Sequence, residues 1–138
     1  MRAAEISRSG MDVEWRRLQV IASNLANMNT ARTASGEPFR PMRLVSAPRA
    51  GFGEMVGRDA PAGARVASVE PMPGALRRVH EPGHPYADAE GFVTYPEIDQ
   101  AGEMTLMIRA SRAYEANLAA MSIAHQMYSR ALDLGRSS

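Results

Sequence analysis

The hydrophobic and polar positions of this chain alternate most regularly in its last third. Nine positions, spaced alternately three and four residues apart, carry seven apolar or aromatic side chains. This spacing is typical of a long helix that packs along one continuous seam. The positions of this heptad seam are Met104, Met107, Ser111, Tyr114, Leu118, Met121, His125, Tyr128 and Leu132.

A second stripe of mostly small apolar side chains runs beside the heptad seam, and it includes Ala113, Ala120 and Ala124. A helix that is apolar on two flanks needs more than one covering neighbour. A chain of 138 residues has only one other long helix to offer. We therefore predict that this alanine stripe contacts a second subunit, because a contiguous exposed apolar surface marks an interaction site. The alternative is an intramolecular helix hairpin that tolerates one apolar face.

The first thirty residues contain no proline and predict the other helix. Leu18, Ile21 and Leu25 are spaced three and four residues apart, which places them on one helical face. We expect these three side chains to pack against the heptad seam of the same subunit or an adjacent one. Gly10 costs about 1 kcal/mol relative to alanine within a helix, so the first turns are expected to be separate or frayed.

The middle of the chain has a different composition, because all nine prolines and eight of the eleven glycines lie between residues 36 and 96. Proline breaks helix interiors, and the short β-prone pieces between turns predict strands. The predicted strands cover residues 42–47, 64–69, 76–79 and 92–95. A Pro/Gly-rich segment at 48–63 predicts a mobile loop.

The predicted fold class is mainly α with a small β part. Two long terminal helices pack as a coiled-coil-like pair and flank a Pro/Gly-rich β and loop segment. The expected organisation is an N-terminal helix at 1–30, a β-rich segment at 31–98 and a C-terminal helix at 99–138.

Composition excludes several classes of function. The formal net charge of +1 gives no clustered basic excess for nucleic-acid binding. The absence of cysteine excludes disulfides, thiolate metal sites and cysteine nucleophiles. The longest apolar run has four residues, so we expect no transmembrane helix. We also expect no cleavable signal peptide, because residues 1–30 contain no continuous apolar region.

One cluster, formed by His80, His84, Asp88 and Glu90, has the side chains of a metal site. The intervening Pro82, Gly83 and Pro85 prevent the helix that would bring the two histidines together. We therefore expect a turn with local hydrogen bonds, and keep a metal-dependent enzyme using His80, His84 and Asp88 as a remote alternative. No phosphate-binding loop or hydrolase motif occurs, and we expect no catalytic residue and no cofactor.

Two segments resemble a known family. The stretch LQVIASNLAN at 18–27 resembles the N-terminal signature of bacterial flagellar rod and hook proteins. The segment EPGHPYADAEGFVTYPEIDQAGEMTLMIRASRAYEAN at 81–117 is similar to the flagellar basal-body rod proteins of the proximal rod. This chain is more acidic at 97–99 than is usual in that family, and Asp99 is the expected N-cap of the last helix.

The resemblance implies a structural subunit and no enzyme. Such subunits leave the cytoplasm unfolded through the flagellar type III export apparatus without signal cleavage. They then polymerise into a hollow helical rod in the periplasm, which transmits torque and passes other flagellar proteins. The implied partners are further copies of the chain, rod proteins of the FlgB, FlgF, FlgG and FliE types, and the export apparatus. No nucleic acid and no direct membrane insertion are implied.

The residues expected to form subunit interfaces combine both predicted helices. They are Leu18, Ile21, Asn24, Leu25, Met104, Met107, Ala113, Tyr114, Leu118, Ala120, Met121, Ala124, Tyr128 and Leu132. Two alternatives remain open: another member of the rod and hook family, and a helical adaptor that binds one partner helix.

Overall fold

The computed structural model describes residues 2–49, 63–74 and 76–136. Most of the predicted 48–63 loop therefore lies outside the described residues. The elements in chain order are α1 (Arg2–Ala26), β1 (Met42–Pro48), β2 (Ala64–Pro71), β3 (Leu76–His80), β4 (Phe92–Pro96) and α2 (Gln100–Arg136). The predicted fold class is confirmed: two long terminal helices pack together beside a small β region. The four strands occur where the sequence pattern predicts them.

The two helices run antiparallel. Asn24 near the end of α1 contacts Glu103 at the start of α2, whereas Gly10 near the start of α1 lies against Asn117. The expectation that Gly10 interrupts the first turns is wrong, because α1 is continuous from Arg2 to Ala26. A Cβ atom at Gly10 would lie only 2.7 Å from Oδ1 of Asn117. This glycine therefore permits a close approach of the helices, and packing against α2 offsets its low helix propensity.

The face of α2 that α1 covers has a heptad period but a different phase from the predicted seam. Glu103 and Ala110 are buried, and further half-buried positions continue the stripe at spacings of three and four. This stripe takes members from both predicted stripes. Its positions are Glu103, Met107, Ala110, Tyr114, Asn117, Met121 and Ala124. Polar residues occupy two of these seven positions, so hydrophobicity alone does not identify the stripe that α1 covers within the chain.

The last turns of α2 extend beyond α1. Gly10 lies opposite Asn117 and the helices are antiparallel. Because α1 begins eight residues before Gly10, its first residue lies opposite about residue 125 of α2. Every residue from His125 to Arg136 is exposed. We call residues 127–136 the C-terminal overhang.

The four strands form two separate antiparallel ribbons, β1 with β2 and β3 with β4. The register of β1–β2 shifts between Val45 and Ser46, which marks a β-bulge. This ribbon lies along α1, where Arg17 donates to the carbonyl of Leu44 at 3.4 Å and Ala64 N–H donates to the Ser9 hydroxyl at 3.0 Å.

The β3–β4 ribbon is held to the segment after α1 by polar contacts. The Arg77 guanidinium donates to Asn29 Oδ1 at 3.1 Å, and the Arg32 guanidinium lies 5.0 Å from the centroid of the Tyr86 ring. Val93 is nearly fully buried within this part of the molecule.

The apolar core is small for a chain of this length. Among the described residues the buried apolar side chains are Met11, Val13, Ile21, Leu44, Val93 and Ala110. Most of the large apolar side chains of α2 are outside this core, and they define the candidate functional surface.

Candidate assembly surface

The exposed face of α2 carries an unusual amount of apolar surface. Nine of its large apolar side chains are at least 44% exposed: Met104, Leu106, Ile108, Leu118, Ile123, Met127, Tyr128, Leu132 and Leu134. Single exposed apolar residues are common on proteins, but nine on one helix indicate a surface that another molecule covers. The arrangement can bind helices or other apolar surfaces.

The structure divides the predicted interface residues into three groups. The exposed group is Met104, Leu118, Ala120, Tyr128 and Leu132. The half-buried group is Leu18, Leu25, Met107, Ala113, Tyr114, Met121 and Ala124. The buried pair is Ile21 and Asn24. The contact of these residues with another subunit stays a prediction, and the exposed group is the part that a neighbour can reach without rearrangement.

Asn24 joins three elements within the chain. Its amide nitrogen donates to the carbonyl of Met42 at 2.8 Å and to Oε2 of Glu103 at 3.2 Å. Its amide oxygen accepts the N–H of Met42 at 2.9 Å. Asn24 is 1% exposed and Glu103 is also buried. Asn24 therefore fixes α1, β1 and the start of α2 relative to one another.

Sequence reasoning missed two residues that hold elements of the chain together: Ser9 joins α1 to β2, and Glu103 joins α2 to α1. Ser9 is buried, and its hydroxyl donates to the carbonyl of Ile6 at 2.7 Å while it accepts the N–H of Ala64. Glu103 occupies a covered heptad position where an apolar residue is usual. The sequence signal for Glu103 is a polar residue within an otherwise apolar heptad stripe. This signal can be recognised only once it is known which stripe of α2 faces α1.

A groove of about 380 Å³ opens at the start of α2. Its apolar lining comes from Pro41, Met72, Ile98 and Leu106. Its charged lining comes from Glu97, Asp99, Glu103 and Arg109. Asp99 directly precedes the first residue of α2, as expected for an N-cap, and its carboxylate lies beside Gly102.

His80 is the last residue of β3, and His84, Asp88 and Glu90 lie in the turn between β3 and β4. His84 Nδ1 accepts the N–H of Tyr86 at 3.2 Å, and the His80 ring packs edge-on against Phe92 at 5.0 Å. Over the described ranges, no group of three or more potential ligands is placed to hold a metal ion. These side chains therefore stabilise the turn through local contacts.

Asp88 organises this turn. Its Oδ1 accepts the N–H of Phe92 at 2.7 Å and that of Glu90 at 3.2 Å, and its Oδ2 pairs with Arg78. The hydrogen bond from Phe92, followed by that from Arg78, lowers the pKa of Asp88 below its ordinary value. Elsewhere the Glu81 carboxylate accepts a 2.9 Å hydrogen bond from the Tyr95 hydroxyl, and this bond raises the pKa of Tyr95.

The turn is expected to lose stability in acid. Because the pKa of Asp88 is lower in the folded chain than in the unfolded chain, its contribution is complete above the ordinary aspartate value of about 3.9 and disappears as the pH falls through the folded pKa. NMR titration of the Phe92 amide checks this, and a midpoint at or above the ordinary value contradicts it. Asp88→Asn keeps an acceptor oxygen but is expected to abolish that titration.

None of the described helices is both long enough and apolar enough to cross a membrane. The exposed apolar face of α2 is interrupted by charged residues such as Arg109, Arg112 and Glu115.

Two family models match the two helical ends of the chain. The model described as "Flagella basal body rod protein" matches residues 5–32, which cover most of α1 and the segment after it. The model described as "Flagellar basal body rod FlgEFG protein C-terminal" matches residues 89–134, which include β4 and nearly all of α2. Both matches include residues of the Asn24 junction.

Curated relatives match almost the full length of the chain. The flagellar basal-body rod protein FlgC of Salmonella typhimurium is 36% identical over 132 residues, which cover 96% of this chain and 95% of the relative. The FlgC protein of Borreliella burgdorferi is 34% identical and covers 92% and 91%, respectively. That of Bacillus subtilis is 33% identical and covers 95% of both chains.

Proposed function

This chain belongs to the FlgC family of flagellar basal-body rod proteins and is a structural, non-enzymatic rod subunit; from that premise we propose how it assembles. The exposed face of α2 binds neighbouring subunits, and repetition of this contact builds a hollow helical rod. A contact between two different surfaces of identical subunits produces an open helix whenever its rotation does not close a ring.

The observation that carries the proposal is the distribution of apolar side chains in the described part of the chain. Six apolar residues are buried, whereas nine large ones on α2 alone are at least 44% exposed. A folded monomer normally covers such side chains, since each Leu, Ile or Met contributes about 1.5–3 kcal/mol when it is buried. Assembly buries these exposed side chains of α2 against neighbouring subunits.

The proposed mechanical role follows from the packing of such interfaces. Closely packed apolar side chains resist sliding, because any displacement opens voids and loses contacts. A rod whose subunits interlock through long helices therefore transmits torque along its length. The β3–β4 ribbon lies on the outer side of such a rod and α2 on the inner side.

The proposed partners are other copies of the chain and rod proteins of the FlgB, FlgF, FlgG and FliE types. We place the assembled chain in the periplasmic rod, and its route there is the flagellar type III export apparatus without signal cleavage. The small core supports this route, because a chain with few buried contacts needs little free energy to unfold for export.

Electron microscopy of basal bodies from a strain that lacks this gene tests the proposed function. We expect the membrane-embedded base to remain and the rod to be absent, and reintroduction of the native gene to restore the rod. Complete rods and hooks in the deletion strain would contradict the proposal and favour the helical adaptor.

Ala120→Arg tests the assembly face directly. Ala120 is exposed on α2, so the substitution leaves the fold intact but puts a charged side chain into the proposed contact. We expect the variant to be exported and not incorporated into rods, measured by immunoblotting of secreted and basal-body fractions. Ala22→Arg, the same exchange at an exposed alanine of α1 and therefore outside the proposed contact face of α2, is the control. Normal motility with Ala120→Arg contradicts the assignment of this face.

A further inference from the structure

The groove at the start of α2 and the C-terminal overhang lie at opposite ends of the antiparallel helix pair. The groove lies beside the Asn24 junction, where Glu103 meets the end of α1. The overhang lies beyond the start of α1, and all of its residues are exposed. A single chain therefore cannot bring its own overhang into its own groove.

The side chains of the overhang are arranged to fill such a groove. Tyr128, Leu132 and Arg136 follow one another at intervals of four residues and share one helical face. The face thus presents two large exposed apolar side chains followed by one cation. At a rise of about 1.5 Å per residue, these three positions extend over about 12 Å.

The groove has the complementary arrangement. Its lining runs from Asp99, directly before α2, to Arg109 on α2, a distance of about 15 Å at the same helical rise. Glu97 and Asp99 give one end a negative charge, and Leu106 with Met72 makes the middle apolar. Arg109 is at the other end, where a guanidinium can lie over an aromatic ring. The volume of about 380 Å³ falls within the range of about 300–1,000 Å³ that is typical of binding pockets.

We propose that the groove at the start of α2 receives the C-terminal overhang of a second copy of this chain. Arg136 of the second copy lies against Glu97 and Asp99, Leu132 lies over Leu106, and Tyr128 lies beside Arg109. The contact is head-to-tail, so each added copy brings a further groove and a further overhang for the next one. The inference rests on the proposed rod assembly and adds to it one specific contact.

Disulfide cross-linking tests this contact cleanly because the native chain contains no cysteine. Two single-cysteine variants, Leu106→Cys and Leu132→Cys, are expressed together in a strain that lacks the native gene. Isolated basal bodies are then treated with a mild oxidant. We expect the disulfide-linked dimer to form at least tenfold faster than with either matched control pair, Ile108→Cys with Leu132→Cys or Leu106→Cys with Ile123→Cys. Ile108 and Ile123 are exposed on α2 but lie outside the groove and the overhang.

A charge exchange provides a second, independent measurement. Arg136→Glu is expected to reduce motility and cross-linking at least tenfold, because it places like charges at the acidic end of the groove. Addition of Glu97→Arg in the same chain restores the opposite charges, and we expect it to restore both readouts. Failure of Arg136→Glu to change motility, or of Glu97→Arg to rescue it, overturns the proposed contact.

The outcomes separate this inference from the function on which it rests. Rods that form normally but cross-link no faster than the controls overturn the groove contact and leave the rod function in place. A disulfide from Leu132→Cys to a cysteine of a different rod protein, in place of the one to Leu106→Cys, also overturns the second copy as the occupant. Absence of rods even when the native gene is supplied overturns the proposed function itself.

Discussion

Asn24→Ala is expected to lower the free energy of unfolding of the isolated chain by about 3 kcal/mol. The substitution removes the partner of the Met42 N–H, the Met42 carbonyl and the Glu103 carboxylate, all within a junction that is closed to solvent. Each buried polar group that loses its partner costs about 1–3 kcal/mol. Urea denaturation followed by circular dichroism measures the change.

Asn24→Asp is expected to be more disruptive than Asn24→Ala. It replaces the amide donor with a second carboxylate that faces Glu103 and the carbonyl of Met42, and like charges in a buried site are unfavourable. Asn27→Ala is the matched control, because Asn27 lies just beyond α1 and its amide has only local partners, the carbonyl of Ser23 and the hydroxyl of Thr30. Equal effects of Asn24→Ala and Asn27→Ala would show that the junction does not hold α1, β1 and α2 together.

Gly63→Ala is the second substitution with a large expected effect, a destabilisation of about 2–6 kcal/mol. Gly63 has a φ of 102°, a left-handed conformation that costs other residues about 1–3 kcal/mol. Its Cβ atom would lie 2.1 Å from the Ser9 hydroxyl, which is held in place by hydrogen bonds with Ile6 and Ala64. Overpacking of such a site costs about 1–3 kcal/mol in addition.

Gly74→Ala separates the two causes. Gly74 also has a left-handed φ, of 78°, but a Cβ atom there would have no neighbour within 4 Å. This control is expected to show the conformational cost alone. Thermal unfolding of both variants gives the comparison, and a difference of zero between them contradicts close packing of β2 on α1.

Both predictions concern polar or glycine contacts because the chain has little apolar core of its own. The stability of the isolated subunit depends on the packing of the two helices and on a few hydrogen-bonded contacts between α1 and the β1–β2 ribbon. Assembly adds burial of the exposed α2 side chains, so the same substitutions are expected to affect the rod less than the free subunit.

The elements themselves could be predicted with good accuracy from the sequence. The distribution of proline and glycine separates the helical ends from the β segment, and four short β-prone runs coincide with the four strands. These features are local, because proline geometry and side-chain periodicity act within a few residues. The resemblance at 18–27 and 81–117 also identified the family that the curated relatives show.

The contacts between elements could not be read from the same patterns. The sequence predicts a heptad seam on α2, but the covered seam is shifted so that Glu103 and Asn117 face α1 while Met104 and Leu118 are exposed. From the sequence, Gly10 is expected to weaken α1. In the structure it allows α1 to approach Asn117 of α2 closely. Asn24 reads as an interface residue and lies buried between three elements of its own chain.

The sequence by itself thus determined the helical ends, the β segment between them, the excess of apolar surface and the family. Only the tertiary structure decided which apolar side chains the chain covers itself and which remain for a neighbour, and where the groove and overhang lie. The physical reason is that periodicity sets the spacing of apolar residues along a helix but not its phase, that is, which side of the helix faces a partner. The phase is decided by polar pairs and close approaches between residues far apart in sequence, such as Asn24 with Glu103 and Gly10 with Asn117.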